Sequence, residues 1–299
     1  MAIVTRVISQ SEDGNTVRHI LRSRLHFSSH AVSRLTHGGD RIFVNGLPVH
    51  TPYVLRAGDV LAVETEDARP PKTAVTPGDW PLPVVWEDEH LLVVNKPAGM
   101  TAHASNFLPD TPTVAGALAW SRGTENFLFH PVNRLDKGTT GLMAVAKSGY
   151  VHDLLRRRLH TDTFRREYRA VCVGCPDPER GTVDAPIGRH PVERKKMAVV
   201  PNGRPAVTHW EVLARCPGHT HLRCRLETGR THQIRVHLAH LGRPILGDTV
   251  YGARKPVPGL QGQCLHAVGL RFVHPRRGEA VELCCPLPEE FRNQLERLA

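Results

Sequence analysis

Asn133-Arg134-Leu135-Asp136-Lys137-Gly138-Thr139-Thr140-Gly141-Leu142 sets a single carboxylate in a short polar turn. A strand-like apolar run, Leu128 to Val132, leads into it, and a second, Leu142 to Ala146, leads out. Arg134 and Lys137 flank Asp136, and Gly138 and Gly141 shape the turn. An Asp in such a place either bonds its own turn backbone or meets an anionic substrate steered there by the neighbouring cations. The turn alone leaves both readings open.

Three further segments carry polar chemistry at a distance from it: Arg165-Arg166-Glu167-Tyr168-Arg169-Ala170, Glu227-Thr228-Gly229-Arg230-Thr231-His232-Gln233-Ile234-Arg235-Val236-His237, and Leu265-His266-Ala267. Singly they are weak. Tyr168, read as the start of a strand, suits half-buried packing, and Arg235 at a helix start suits a surface arginine. His232 and His237 lack the i, i+4 spacing of a helical zinc pair.

Together, and in this order, the segments resemble RluA-type pseudouridine synthases. The family form of the turn reads His-Arg-Leu-Asp, two variable residues, then Thr-Ser-Gly. Arg134, Leu135, Asp136, Thr139 and Gly141 match it, while Asn133 and Thr140 replace His and Ser with other polar residues. Val93-Val94-Asn95-Lys96-Pro97-Ala98-Gly99 opens the region of resemblance, which covers nearly all of residues 84 to 298. The resemblance implies isomerisation of uridine to pseudouridine in RNA; with no nucleotide-cradling Gly loop and no complete metal set in the sequence, no cofactor or metal is expected. It implies Asp136 as nucleophile, Arg235 as its ionic partner and Tyr168 stacked on the uracil. Arg134 would fill the space left by the flipped base and Leu265 would wall the pocket. Lys96, Lys137 and Arg230 would hold phosphates, which position RNA rather than choose its sequence.

Upstream, Thr16 to Arg22 reads as an amphipathic helix, and Ser28 or Ser29 caps a second one through Ala31, Val32 and Leu35 that ends at Gly38-Gly39. Arg41 to Gly46, Tyr53 to Leu55 and Val60 to Val63 read as strands of a small sheet. This string resembles the S-four-type RNA-binding module, with Arg18, Arg22 and Arg34 on the RNA-facing helix pair. The expected organisation is a small α+β module over 1–66, an extended, exposed Pro-rich linker over 67–82 and a catalytic domain over 83–299. The module is expected to be loosely tethered. The expected fold class is α+β, with a mixed or antiparallel central sheet and a basic cleft holding Asp136.

Composition agrees with a polyanionic partner. The 299 residues carry a net charge of +10, which favours RNA through release of condensed counterions. No run approaches the ~20 apolar residues of a membrane span, and the N-terminus lacks a secretory apolar core, so a cytoplasmic protein is expected; it is taken as a monomer, although the sequence leaves oligomeric state open. The seven cysteines are odd in number and scattered, which suits reduced thiols. Cys172-Val173-Gly174-Cys175 has zinc-ligand spacing but no companion pair. Large-subunit ribosomal RNA is the expected substrate. The alternatives are transfer RNA, a non-catalytic RNA-binding or ribosome-assembly factor, and a zinc-dependent RNA enzyme.

Overall fold

The computed structural model describes residues 3–37, 41–65, 75–104, 111–123, 128–193, 196–253 and 255–299. Its first part holds β1 (Ile3–Val7), α1 (Val17–Ser23), α2 (Ser29–His37), β2 (Ile42–Val44), β3 (Leu47–Pro48) and β4 (Val60–Glu64). The Ser28 hydroxyl accepts the Ala31 N–H, so the expected cap of the second helix forms at Ser28, and the Thr16 hydroxyl accepts the His19 N–H at the start of the first. The expected stop at Gly38-Gly39 lies outside the described residues. The sheet runs β1-β4-β2-β3. Its edge strand β1 went unread in the sequence, because its pairing is with the distant β4. Tyr53 to Leu55 is not a strand; Val54 makes only a bridge to Thr16.

The second part holds β5 (Val84–Glu87), β6 (Leu91–Lys96), α3 (Val114–Arg122), β7 (His130–Pro131), β8 (Thr140–Ala146), α4 (Gly149–Arg158), β9 (Phe164–Val173), β10 (Arg180–Asp184), β11 (Ile187–Arg189), β12 (Met197–Val199), β13 (Val207–Cys216), β14 (His219–Leu226), α5 (Gln233–His240), β15 (Leu265–Val273), β16 (Ala280–Cys284) and α6 (Glu289–Leu298). A ten-stranded mixed sheet runs β10-β13-β14-β9-β15-β8-β6-β5, with β16 added to β15 and β7 to β8. The α+β class and the mixed sheet agree with the sequence reading.

The seam is the short parallel pairing of β15 with β8, His266 opposite Thr140 and Ala267 opposite Gly141. Gly141 has φ +110, and a Cβ there would stand 2.3 Å from the Ala267 carbonyl oxygen. Only glycine admits both the conformation and the approach. The Asp136 turn therefore leads directly into the seam. β8 is buried at every position, as a strand covered on both faces should be.

Two expectations fail in the packing. Residues 75–82 are not simply exposed. Trp80 and Leu82 pack on the core and Gly78 donates to the Gly116 carbonyl of α3 at 3.2 Å. The N-terminal module is not loosely held either. Phe27 stacks on Tyr150 of α4 with ring centroids 4.3 Å apart, and the Tyr150 hydroxyl donates to the Leu25 carbonyl at 3.0 Å. Among the described residues no helix is long and apolar enough to cross a membrane.

Candidate active site

Asp136 stands at the floor of a cleft of about 710 Å³. Side chains from the turn, from β9, from the 227–235 segment and from β15 line it. Five arginines line this cleft, Arg134, Arg156, Arg166, Arg230 and Arg235, against the lone carboxylate of Asp136. A second cleft of similar size lies over Arg165, Glu167, Arg169 and Arg271. Acidic and basic groups alternate there and neutralise one another, so the Asp136 cleft is the one suited to a polyanion.

The turn is held at each end. Buried Asn133 accepts the Ala144 N–H at 2.8 Å and donates to the Leu142 carbonyl at 3.4 Å. Thr139 accepts from Gln263 at 2.6 Å, and the Thr140 hydroxyl shares a hydrogen bond of 2.8 Å with His266 Nδ1. The residues that depart from the family's usual form thus still anchor the loop.

Arg235 projects from the first turn of α5. Its Nη1 donates to Asp136 Oδ2 at 3.0 Å, while Nε and Nη2 form a two-pronged pair with Asp248 at 2.7 and 2.9 Å. Burial works against the charge on Arg235, but the Asp248 bonds and the Asp136 charge outweigh it and hold the guanidinium above its usual range. Burial likewise opposes ionisation of Asp248, and Arg235 overturns it, keeping that carboxyl below its ordinary value. A planar fork shared between two carboxylates fixes the direction of the free one. The Gln233 side chain clamps the start of α5. Its Oε1 accepts from the Arg230 N–H and the Thr228 hydroxyl, and its Nε2 donates to the Val207 carbonyl and the Thr208 hydroxyl.

Tyr168 is buried in the middle of β9 rather than at its start, opposite Cys224 of β14, and lines the cleft. Buried Leu265 and exposed Arg134 both line the cleft. Arg230 also lines the cleft, its Nε donating to the Pro205 carbonyl at 2.9 Å.

Lys96 does not hold a phosphate. It is fully buried under the turn, and its ammonium donates to the carbonyls of Pro97, Met100 and Lys137 at 2.7, 2.9 and 3.3 Å. Burial pulls it down to about 7, with the Asp136 charge opposing. Three acceptors match the three ammonium donors, so Lys96 ties the turn to the 97–100 loop. Lys137 is exposed beside the cleft and contacts the Thr111 hydroxyl at 3.4 Å. Arg18, Arg22 and Arg34 are exposed on α1 and α2 and do not line the cleft.

Sequence reasoning missed Asp248 and Tyr251. The signal available was the glycine-bounded turn Gly247-Asp248-Thr249-Val250-Tyr251-Gly252, in which Asp248 also accepts the Val250 and Tyr251 N–H groups at 3.0 and 3.1 Å. His232, weighed only as half of a metal pair, has Nε2 3.9 Å from Asp136 Oδ1 and Nδ1 2.8 Å from the Tyr251 hydroxyl. His237 is buried elsewhere, against Thr208 and the Ala185 carbonyl.

Residues 90–240 match the family model described as RNA pseudouridylate synthase. The chain is 40% identical over 288 residues to the ribosomal large subunit pseudouridine synthase D of Xanthomonas campestris, covering 91% of this chain and 85% of that protein. It is 42% identical over 263 residues to an RNA pseudouridine synthase of Bacillus subtilis, covering 86% of each. Among solved structures, human RNA Pseudouridylate Synthase Domain Containing 1 aligns with a TM-score of 0.56 at 26% identity, over 73% of this chain and 94% of that one.

Proposed function

This chain belongs to the RNA pseudouridylate synthase family, and we propose that it converts uridines of large-subunit ribosomal RNA with Asp136 as its nucleophile. The observation that carries the role of Asp136 is the ladder Asp136–Arg235–Asp248, in which a buried guanidinium aims one carboxylate into an arginine-rich cleft. The similarity to relatives named for the large ribosomal subunit supports the substrate.

The reaction breaks the bond from ribose to uracil N1 and joins the ribose to C5, so the ring must leave the stack and turn over. Flipping costs a few kcal/mol and least in loops and bulges. The Asp136 carboxylate assists departure of the ring, and the bond from ribose C1′ to N1 breaks with its electron pair on N1. The detached uracil turns over against Tyr168 and Leu265, C5 bonds to C1′ as the carboxylate is released, and the C5 proton passes to solvent while N1 takes one up. Arg134 occupies the gap in the RNA stack. Lys137 and Arg230 contact phosphates near the cleft. The module over 1–66 is of the S-four type, and Arg18, Arg22 and Arg34 dock more distant phosphates. The protein works in the cytoplasm as a monomer.

The test is carbodiimide mapping of unmodified large-subunit ribosomal RNA and bulk transfer RNA after treatment with the protein. New reverse-transcription stops in the ribosomal transcript are expected. Stops confined to transfer RNA would move the substrate assignment.

A further inference from the structure

Arg166 has no place in the ladder, yet it is a cation only 7% exposed at the wall of the same cleft. Its Nη2 donates to two neutral carbonyls, Leu159 and Thr228, each at 3.2 Å. Its Nε is buried without a partner among the described residues, and no carboxylate pairs with it in them. A buried guanidinium lacking a counter-charge is costly, and burial does pull this one below the usual arginine range. Arg235 by contrast is paired with two carboxylates, and each of the three ammonium donors of Lys96 finds a carbonyl, whereas the Arg166 guanidinium has neither a counter-charge nor a full set of acceptors among the described residues.

The site is also kept open by sequence. A Cβ on Gly229 would stand 2.8 Å from Arg166 Nη1, so the backbone is bare where the guanidinium meets the cleft. Arg166 borders both clefts, but Leu159 and Gly229, which flank the guanidinium, line the Asp136 cleft and not the second one. Arg166 and Tyr168 share one face of β9, about 6.6 Å apart along the strand, which is one step outward from the ring expected to stack on the uracil.

We propose that Arg166 is the anchor for a backbone phosphate adjoining the flipped nucleotide, so that the RNA itself supplies the missing counter-charge. This rests on the reading of the cleft as an RNA site. An arginine fork suits phosphate, and the charge is placed where substrate entry, rather than folding, neutralises it.

The experiment measures binding of an unmodified large-subunit ribosomal RNA transcript across a salt series for wild type, Arg166→Met, Arg166→Lys and Gly229→Ala. Thermal unfolding serves as the folding control, and pseudouridine formation is followed on the same RNA. Arg166→Met is expected to bind roughly tenfold more weakly at low salt and to lose about 0.7 from the slope of log affinity on log salt, the contribution of one phosphate on a single strand. Arg166→Lys restores the slope. Gly229→Ala, which leaves every charge in place, weakens binding by crowding the guanidinium and raises KM more than it lowers kcat. A folded Arg166→Met protein with the wild-type slope overturns the proposal, as does Arg166→Lys behaving like Arg166→Met. If wild type shows the charge-dependent slope but isomerises nothing, the substrate reading fails while the phosphate anchor stands.

Discussion

At Asp136 the chemistry depends on residues that the chain brings from far away. Arg235 lies 99 positions on, and its own orientation depends on Asp248, 13 positions further. Asp248→Asn is expected to leave Arg235 with a single carboxylate and to free its fork to turn. Breaking a buried pair on one side costs about 3 kcal/mol or more, and mis-aiming a reacting group by about 1 Å costs on the order of a hundredfold in rate. A lower melting temperature with kcat reduced and RNA affinity nearly kept would bear this out. Loss of affinity with kcat unchanged would show that Asp248 shapes RNA binding instead. Asp136, Tyr168 and Arg235 were legible because each sits inside a recognisable segment. Asp248 was not, because a lone Asp in a glycine-bounded turn looks like any turn residue. Lys96 misled because a Lys beside a Pro in a polar turn reads as surface, and nothing local reveals that the 97–100 loop and the Asp136 turn close over it.

At the scale of elements, the turn is rigid because β8 and β15 meet backbone to backbone at Gly141. Gly141→Ala is expected to cost about 4 kcal/mol, since it combines a left-handed conformation with a clash against a carbonyl that cannot move away. A denaturant midpoint within error of wild type would contradict that reading of the seam. Beside it, His266 joins Thr140 to Cys285, at 2.8 and 3.2 Å. Burial pushes His266 down to about 4. The unfolded chain binds this proton below its ordinary value near 6.5 and the folded chain does not, so stability is lost as pH falls from about 6.5 to about 4. Strands flanked by apolar runs, such as β6 and β8, were readable. The start of β9 was not, because Arg165, Arg166 and Glu167 hide the alternation that places Phe164, Arg166 and Tyr168 on one face.

Over the whole molecule, the N-terminal module and the catalytic domain share a packed contact at Phe27 and Tyr150. No local pattern announces it, because each aromatic is explained equally well by its own domain's core. Removing the Phe27 ring should cost about 3 kcal/mol. In Phe27→Ala, protease should cut between residues 1 and 82 sooner than in wild type. Equal resistance of the two proteins would mean that the contact contributes little.

The central claim is that Asp136 breaks the glycosidic bond while the surrounding cations hold the RNA. The most direct measurement is tritium release from ribosomal RNA labelled at uracil C5, with binding to the same RNA, for wild type and Asp136→Asn. Release by wild type, none by the variant and affinity within a few-fold of each other is the predicted result, because phosphate contacts supply most of the binding. Equal release by both proteins would contradict the account, and joint loss of release and binding would make Asp136 a structural residue of its turn.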